Sequence, residues 1–409
     1  MVLLISQSQM FNPIYAPNIY LFAYHIIENE QDDVELGDSN YNQNLLWDKC
    51  NQDIFPKFNI PQVLEVTEEL SGSRVDLLKG KTSKHFTLPL TGEISNQNKI
   101  INITGAAQPL RIQDSYALCL KLVYPAEINS YRKIEGLDFS ILKSFNPDNI
   151  LLPQSINSSL GQTILITAWA KENINNDKEF LTEVADKCIY AFLDLPKEKI
   201  PLRRQEGQLF GSHIFEYGLL SQQEDYSHII VWLFSQGRTD EKFDRCYQQI
   251  IDLFFYYNKV IQAYQLSKKL YDQEIKQGYE NMENEIDKIK NFSSSESLTR
   301  LELNELKSQL KNLPKKALEY AKWQRYLEQQ HFIITLNSRS YTEKVRQIKT
   351  KLPNETLGFL ETFTRKNCPY FQEQINGYLG YCKHGLNLVD KMIASIRGIV
   401  EIDQAEKDC

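Results

Sequence analysis

The stretch LNELKSQLKNLPKKALEYAKWQRYL, residues 303–327, carries the pattern that decides the architecture of the second half of the chain. Its apolar positions recur at alternating steps of three and four residues, and the same spacing continues to Leu352. This heptad-like period predicts one long amphipathic helix over residues 297–352 that packs along its neighbours. Pro314 lies inside the pattern, and we expect it to kink the helix because proline removes a main-chain hydrogen bond.

The flanking segments repeat this period. Apolar and aromatic residues at similar steps predict a helix over residues 240–291 and a last helix over 369–409 that opens at a proline. A short helix over 354–366, capped by Asn354, is expected between them. Residues 240–409 are therefore predicted to form an antiparallel coiled-coil-like bundle or stalk.

The serine-rich segment at residues 291–297 (NFSSSES) is expected to reverse the chain between the first two long helices. Ser293 and Glu296 have the spacing of a capping box for the second helix. Acidic residues on the first helix and basic residues on the second favour an antiparallel register in which opposed residue numbers sum to about 588. The predicted pairs are Asp287 with Arg300, Glu280 with Lys307, and Glu274 with Lys315.

The first half of the chain has a different pattern, with short apolar segments separated by turn-forming residues. The segment NIYLFAYHI at residues 18–26 is apolar on both faces, as in a buried strand. Helical spacing is found at residues 44–54 and 177–193. The other predicted strands are residues 86–90, 99–104, 116–124 and 163–170, followed by a hairpin of 211–217 with 228–234. We therefore predict an α+β or α/β domain over residues 1–239.

The charge distribution separates the same two regions. The chain has a net charge of −7, of which residues 1–239 contribute −9 and residues 240–409 contribute +2. An acidic chain of this kind argues against a nucleic-acid-binding protein. Residues 297–352 are an exception, with 12 basic and five acidic residues. This excess is suited to an anionic membrane surface or phosphate, but the favoured interpretation is that these basic residues pair with the acids of the preceding helix.

The seven cysteines are Cys50, Cys119, Cys188, Cys246, Cys368, Cys382 and Cys409. Their odd number and wide spacing favour free thiols in a reducing cytoplasm over a disulfide framework or a zinc cluster. The first residues lack the features of a signal peptide, and no apolar segment of the sequence is long enough to span a bilayer. Because the helical pattern is still running at Cys409, we expect that the chain was cut from a longer one, and a membrane segment after Cys409 is one possible continuation.

The sequence assigns no catalytic residue, no metal ligand and no cofactor. The six histidines lie far apart, and no glycine-rich phosphate loop is present. His331 is interpreted as a polar residue on the helical seam, and Cys188 and Cys246 as core residues. The basic segments 131–133 (YRK) and 203–204 (RR) are candidates for the lining of a ligand cleft, with ordinary surface solvation as the alternative.

The order of an acidic α/β domain, then long helices, then a terminal helix that runs to the end of the chain resembles the cytoplasmic region of CorA-like membrane proteins. That family has a Gly-Met-Asn pore motif and transmembrane helices, and neither occurs in this sequence. The resemblance therefore implies a layout and no site residue.

Two functions follow from this layout. One is a non-enzymatic sensory or scaffold protein, cytoplasmic or at the cytoplasmic face of a membrane. Its α/β domain would bind a ligand or partner, and its helices would form a homo-oligomer or bind a protein partner. The alternative is an enzyme whose active site is assembled from distant residues of the α/β domain.

Overall fold

The computed structural model describes residues 14–27, 45–67, 72–80, 86–125, 136–170, 178–218, 227–235, 238–292 and 298–408. It divides into two compact units. The first, here the sheet unit, comprises residues 1–259 and 340–362, and the second, here the helical unit, comprises residues 260–339 and 363–409. The expected start of the helical domain at residue 240 lies at the start of a long helix, which begins at Thr239. The domain boundary itself stays a prediction.

The sheet unit contains a mixed nine-stranded sheet. Its strands are β1 (Ile14–Ile26), β2 (Arg74–Asp76), β3 (Leu88–Asn96), β4 (Lys99–Ile112), β5 (Ser115–Val123), β6 (Gly161–Ala170), β7 (Arg203–Leu209), β8 (Ser212–Tyr217) and β9 (His228–Phe234). They are ordered β2-β4-β5-β1-β6-β9-β8-β7, and β3 pairs with β4. Only β6 and β9 pair in parallel among the described strands, which makes the fold α+β.

Each predicted strand overlaps a strand of the sheet, although the predictions at 86–90 and 99–104 cover only the first residues of β3 and β4. The expected strand at 228–234 has the bounds of β9, and the expected hairpin is the antiparallel pair of β8 and β9. Its predicted turn at residues 221–226 lies outside the described residues. Strands β2 and β7 were not predicted, because a three-residue strand and the polar sequence RRQEGQL have no apolar alternation.

The helices are α1 (Leu45–Asp48), α2 (Phe55–Lys57), α3 (Ser140–Ser144), α4 (Pro153–Ile156), α5 (Lys178–Leu193), α6 (Thr239–Leu270), α7 (Lys276–Phe292), α8 (Arg300–Lys351), α9 (Gly358–Thr362) and α10 (Cys368–Asp408). A π-helical turn at Tyr271–Ile275 joins α6 to α7. Another at Phe363–Asn367 joins α9 to α10, so the helical run continues where we expected a break before Pro369. This is sterically possible because proline is tolerated in the first turn of a helix.

Alternation along the strands gives the sheet two apolar faces. Ile19 and Leu21 of β1 belong to a core that includes buried residues of α5 and of the short helices α1, α3 and α4. Tyr20, Phe22 and Tyr24, one residue out of phase, contact aromatic residues of α6 on the opposite face. The apolar residues on both faces of β1 are thus explained by helices on both sides of the sheet.

In the helical unit, aromatic side chains of α10 stack on those of α6 and of the π-helical turn that follows it. Tyr264 of α6 lies 4.4 Å from Phe371 of α10 between ring centroids, and Tyr271 lies 4.3 Å from Tyr378. The ring of Tyr320 on α8 packs where Gly385 of α10 leaves room, since a Cβ atom at Gly385 would come within 2.3 Å of Tyr320 Cε1. Every second position of the heptad-like seam of α8, from Leu306 to Tyr341, is buried, and the positions between them are half-buried.

The predicted register of α7 and α8 is wrong. Lys316 Nζ lies 2.6 Å from Glu285 Oε1, and the residue numbers of this pair sum to 601. Trp323 borders the position a Cβ would occupy at Gly278, which gives the same sum. Each α7 residue therefore faces an α8 residue about 13 positions later than the charges predicted. The fit of bulky rings against glycines sets this register, because exposed ion pairs contribute only about 0.2–1 kcal/mol each.

The start of α8 is fixed by different residues from those expected. Residues 293–297, which include the proposed cap of Ser293 and Glu296, lie outside the described residues. Thr299 and Glu302 form a capping box, in which Thr299 N donates to Glu302 Oε2 over 2.7 Å and Glu302 N donates to Thr299 Oγ1 over 3.3 Å. The helix then continues through Pro314, and the kink there stays a prediction. Asn354 lies in the turn before α9 and does not begin a helix.

Candidate functional site

Buried polar side chains from three strands and one helix meet on the face of the sheet that α6 covers. Thr163 of β6, Glu216 of β8 and His228 of β9 are all at most 5% exposed. Thr163 and His228 are direct partners in the β6–β9 ladder, and Glu216 opposes Ile230 on the other side of β9. Tyr257 and Asn258 of α6 lie over them. With Arg204 of β7, these residues form what we call the His228 network.

One chain of hydrogen bonds runs through the network. Asn258 Nδ2 donates to Thr163 Oγ1 over 3.1 Å. Thr163 Oγ1 and His228 Nδ1 are 2.8 Å apart, and His228 Nε2 and Glu216 Oε1 are 3.0 Å apart. An ionised carboxylate only accepts hydrogen bonds, so Nε2 carries the imidazole proton and Nδ1 accepts the hydroxyl proton of Thr163. Every member is thereby satisfied in one consistent arrangement.

Glu216 is the charged centre of this network. Tyr257 Oη donates to Glu216 Oε1 over 3.0 Å, and Arg204 Nη1 lies 3.3 Å from the same oxygen. Burial by itself would raise the pKa of Glu216, but Arg204 and His228 oppose it and bring that pKa down to about 2. The carboxylate is therefore ionised at neutral pH although it is buried.

His228 is neutral in this environment. Burial lowers its pKa, and the hydrogen bond to Glu216 only partly opposes that effect. The imidazole also stacks on Tyr257, with 4.1 Å between ring centroids and 15° between planes. The His228 ring is therefore held by hydrogen bonds at its two nitrogens and by stacking on Tyr257 across its face.

A second buried carboxylate, Asp252 of α6, ties three segments of the sheet unit together. Lys344 Nζ of α8 lies 2.8 Å from Asp252 Oδ2, and Arg74 Nε of β2 lies 3.5 Å from Asp252 Oδ1. Tyr24 Oη donates to the carbonyl of Ile251 over 2.8 Å. The first half of α6 is therefore bound to both the sheet and the end of α8 by charged and polar contacts.

A small cavity of about 80 Å³ lies on the same face, between β1, β4, β5 and α6. Tyr20, Gln108, Lys121 and Asp244 are among its lining residues. Lys121 Nζ lies 5.3 Å from the centroid of the Tyr20 ring, and burial raises the pKa of Asp244. The cavity is far smaller than the roughly 300–1,000 Å³ that small-molecule sites usually occupy.

The structure places the basic residues that were predicted to line a cleft in different surroundings. Arg204 belongs to the His228 network, where Arg204 Nη1 also donates to Tyr257 Oη over 2.8 Å. Arg203 instead binds Asp186 of α5 at 3.2 Å on the opposite side of the strand. Residues 131–133 lie outside the described residues.

The remaining sequence interpretations can be placed individually. Cys188 and Cys246 are buried, as expected of core residues, and the six described cysteines are free thiols. His331 is half-buried on α8. Within the described ranges, no three His, Cys, Asp or Glu side chains are grouped so that they could hold a metal ion. Over the same ranges, no helix combines the length and apolarity that crossing a bilayer requires.

Sequence reasoning missed the His228 network, although a signal was present. His228 and Glu216 stand in otherwise apolar strands that were correctly paired as a hairpin, and a charged residue at an inward position of such a strand is unusual. Thr163 and Asn258 could not be added from the sequence. Their proximity depends on the parallel pairing of β6 with β9 and on the side of the sheet to which α6 packs.

The fold and this network define an α+β protein with a buried, charged strand–helix junction. Comparison with known proteins adds no family, since no family model, no curated protein and no solved structure matches the chain.

Proposed function

We propose that the protein is a non-enzymatic sensory or scaffold protein in which the sheet unit binds a ligand or partner and the long helices respond to it. The course of α6 supports this proposal most directly. Tyr257 and Asn258 of α6 are bound into the His228 network, and Tyr264, two turns later on the same unbroken helix, stacks on Phe371 of α10. Helix α6 is continuous over Thr239–Leu270, and we infer that a change at the buried junction is transmitted along it.

The helical unit suits the responding role. Its stacked tyrosines and small-residue contacts favour an antiparallel coiled-coil-like bundle, a structure that commonly presents surfaces for self-association. We propose a homo-oligomer or a protein partner bound through these helices. The resemblance to CorA-like membrane proteins supports a cytoplasmic location, or one at the cytoplasmic face of a membrane.

Hydrogen exchange of the full-length chain tests the coupling. Glu216→Gln keeps the shape of the side chain but removes its charge, so the contacts from Arg204 and His228 weaken. We expect faster amide exchange in residues 251–258 and also in residues 261–275, which lie beyond the network on the same helical run. Tyr257→Phe removes one hydrogen bond to Glu216 and should give the same pattern with smaller amplitude.

Glu183→Gln on α5 is the matched control, since Glu183 is an exposed carboxylate that pairs with Lys187 one helical turn away. It should leave exchange in α6 unchanged. Faster exchange confined to residues 251–258 in both network variants would refute coupling along the helix. Light scattering over a concentration series tests self-association, and a monomer at every concentration would refute the homo-oligomer.

A second candidate function, an enzyme, is favoured by one observation. Thr163, His228 and Glu216 are joined in the order hydroxyl, imidazole, carboxylate that activates nucleophiles in acyl transfer. Thr163 is fully buried under Asn258, so a substrate would have to displace α6. Mass spectrometry after treatment with a fluorophosphonate probe tests this candidate. Modification of Thr163 would support it, and an unmodified Thr163 in folded protein would overturn it.

A further inference from the structure

The outward side of α8 between residues 311 and 339 carries a continuous line of exposed side chains spaced three and four residues apart. We call this line the α8 stripe; its members are Lys311, Lys315, Leu318, Lys322, Arg325, Gln329, Phe332, Leu336 and Arg339. Five of the nine are cationic, three are large and apolar, and none is acidic. At about 1.5 Å per residue the stripe extends over about 42 Å.

The apolar members of the stripe are strongly exposed. Leu318 is 72%, Phe332 59% and Leu336 44% exposed. Single exposed apolar residues are ordinary on protein surfaces, but three aligned on one helix face and interleaved with cations have the composition of an interaction surface. The stripe lies wholly within the helical unit.

The cationic members are available for an external partner. In the described part of the chain, none of the five stripe cations takes part in an ion pair, whereas Lys316, which points inward, binds Glu285. The exposed acids beside the stripe are Glu319 and Glu328, and Glu328 accepts a hydrogen bond from Gln324. Four of the five cations lie between residues 311 and 325 and the fifth is Arg339, so the cations lie on both sides of the apolar pair Phe332 and Leu336.

We propose that the α8 stripe binds the surface of an anionic lipid bilayer. The ammonium and guanidinium groups would contact lipid phosphates and carboxylates, while Leu318, Phe332 and Leu336 insert at the headgroup boundary. A flat surface with distributed charge suits a 42 Å line better than a single phosphate does, because one phosphate would occupy only two or three of the cations. This lipid binding does not depend on the sensory function proposed above.

A second copy of the chain fits the stripe less well. Two stripes in contact would oppose like charges. The acidic side of α7, with exposed Glu280 and Glu283, offers charge complementarity, but none of the large exposed apolar side chains of the described residues lies on that helix. It would therefore leave Phe332 and Leu336 uncovered, whereas a bilayer satisfies both the charge and the apolar requirement.

Co-sedimentation of the full chain with vesicles tests the proposal. The chain should bind vesicles of phosphatidylcholine mixed with phosphatidylserine, bind phosphatidylcholine alone at least tenfold more weakly, and lose affinity as salt is added. Lys322→Glu with Arg325→Glu should weaken binding by more than 25-fold, since each basic residue near such a surface contributes about fivefold. Lys276→Glu with Lys288→Glu on α7 is the charge-matched control and should have little effect.

Phe332→Ser with Leu336→Ser separates lipid from a soluble acidic partner. This pair should weaken vesicle binding but leave binding to poly-glutamate unchanged, and Leu202→Ser, which is 63% exposed in the sheet unit, serves as its control. Circular dichroism melting verifies that each variant is folded. Failure of the chain to bind mixed vesicles overturns the proposal, as does equal loss in the control variants. Binding to poly-glutamate and to vesicles that is insensitive to Phe332 and Leu336 would instead assign the stripe to an acidic protein.

Discussion

At the scale of single residues, Glu216 shows how a buried charge is retained. A buried carboxylate is costly unless it is paired and hydrogen-bonded, and Glu216 receives donors from Arg204, His228 and Tyr257. Removing any one of these partners leaves the others bound to a poorly compensated charge. The network is therefore a place where a small chemical change has a large structural effect.

The same residues predict the response of stability to acid. The pKa of Glu216 falls from its ordinary value of 4.5 to about 2, and burial lowers the pKa of His228 from 6.5. In each case the unfolded chain binds the proton first, so the free energy of unfolding decreases as the pH falls below about 6.5 and again below about 4.5. Each group contributes a slope of at most about 1.4 kcal/mol per pH unit.

Urea unfolding measured at several pH values below neutrality checks this prediction. Glu216→Gln should flatten the dependence below pH about 4.5 while it lowers stability at neutral pH. Glu183→Gln should retain the wild-type slope, since that carboxylate is exposed. A wild-type chain whose stability is constant over this range would contradict the assigned ionisation states.

At the scale of elements, the packing of the helices depends on glycines whose missing side chain leaves space for an aromatic ring of a neighbouring helix. Tyr320 is 2% exposed, and the position of a Cβ at Gly385 lies 2.3 Å from its Cε1 atom. The ring also meets Trp323 edge-on, with 5.0 Å between centroids, which limits its freedom to move. This contact, with the one at Gly278, fixes how α8 lies against α7 and α10.

Gly385→Ala should therefore destabilise the chain even though alanine favours helix. Overpacking costs about 1–3 kcal/mol, and the gain in helix propensity returns about 1 kcal/mol. Gly380→Ala on the same helix is the control, since no atom lies within 4 Å of its Cβ position, and it should stabilise by up to about 1 kcal/mol. Equal effects of the two substitutions in urea unfolding would refute the assigned contact.

At the scale of the whole molecule, the cysteines report on the integrity of both units. Cys50, Cys119 and Cys188 lie in the sheet unit and Cys382 in the helical unit, and all are buried free thiols. Burial raises the pKa of each, to about 12 for Cys382, which suppresses the reactive thiolate.

We expect Ellman titration of native protein to detect at most one rapidly reacting thiol, because the six cysteines that the structure describes are all buried. Denatured, unreduced protein should show about seven, the full number in the sequence. Five or fewer thiols after denaturation would indicate disulfides. Several fast thiols in native protein would show that one of the units opens readily.

Much of the local structure was determined by the sequence itself. A continuous apolar run located β9, and apolar alternation located nearly all of β5. The apolar residues on both faces of residues 18–26 correctly indicated a strand covered on two sides. The three- and four-residue steps located α8 to within three residues at its start and one at its end. These features follow from short-range periodicity, which a chain carries independently of its folded neighbours.

The register of α7 and α8 and the His228 network were decided only by the tertiary structure. Exposed charges are weak, so they could not outweigh the fit of Tyr320 and Trp323 against Gly278 and Gly385, a fit that no spacing rule encodes. The network required Thr163, Glu216, His228 and Asn258 to converge from segments up to 95 residues apart. Such convergence depends on strand order and on which face α6 covers, both of which are properties of the assembled sheet.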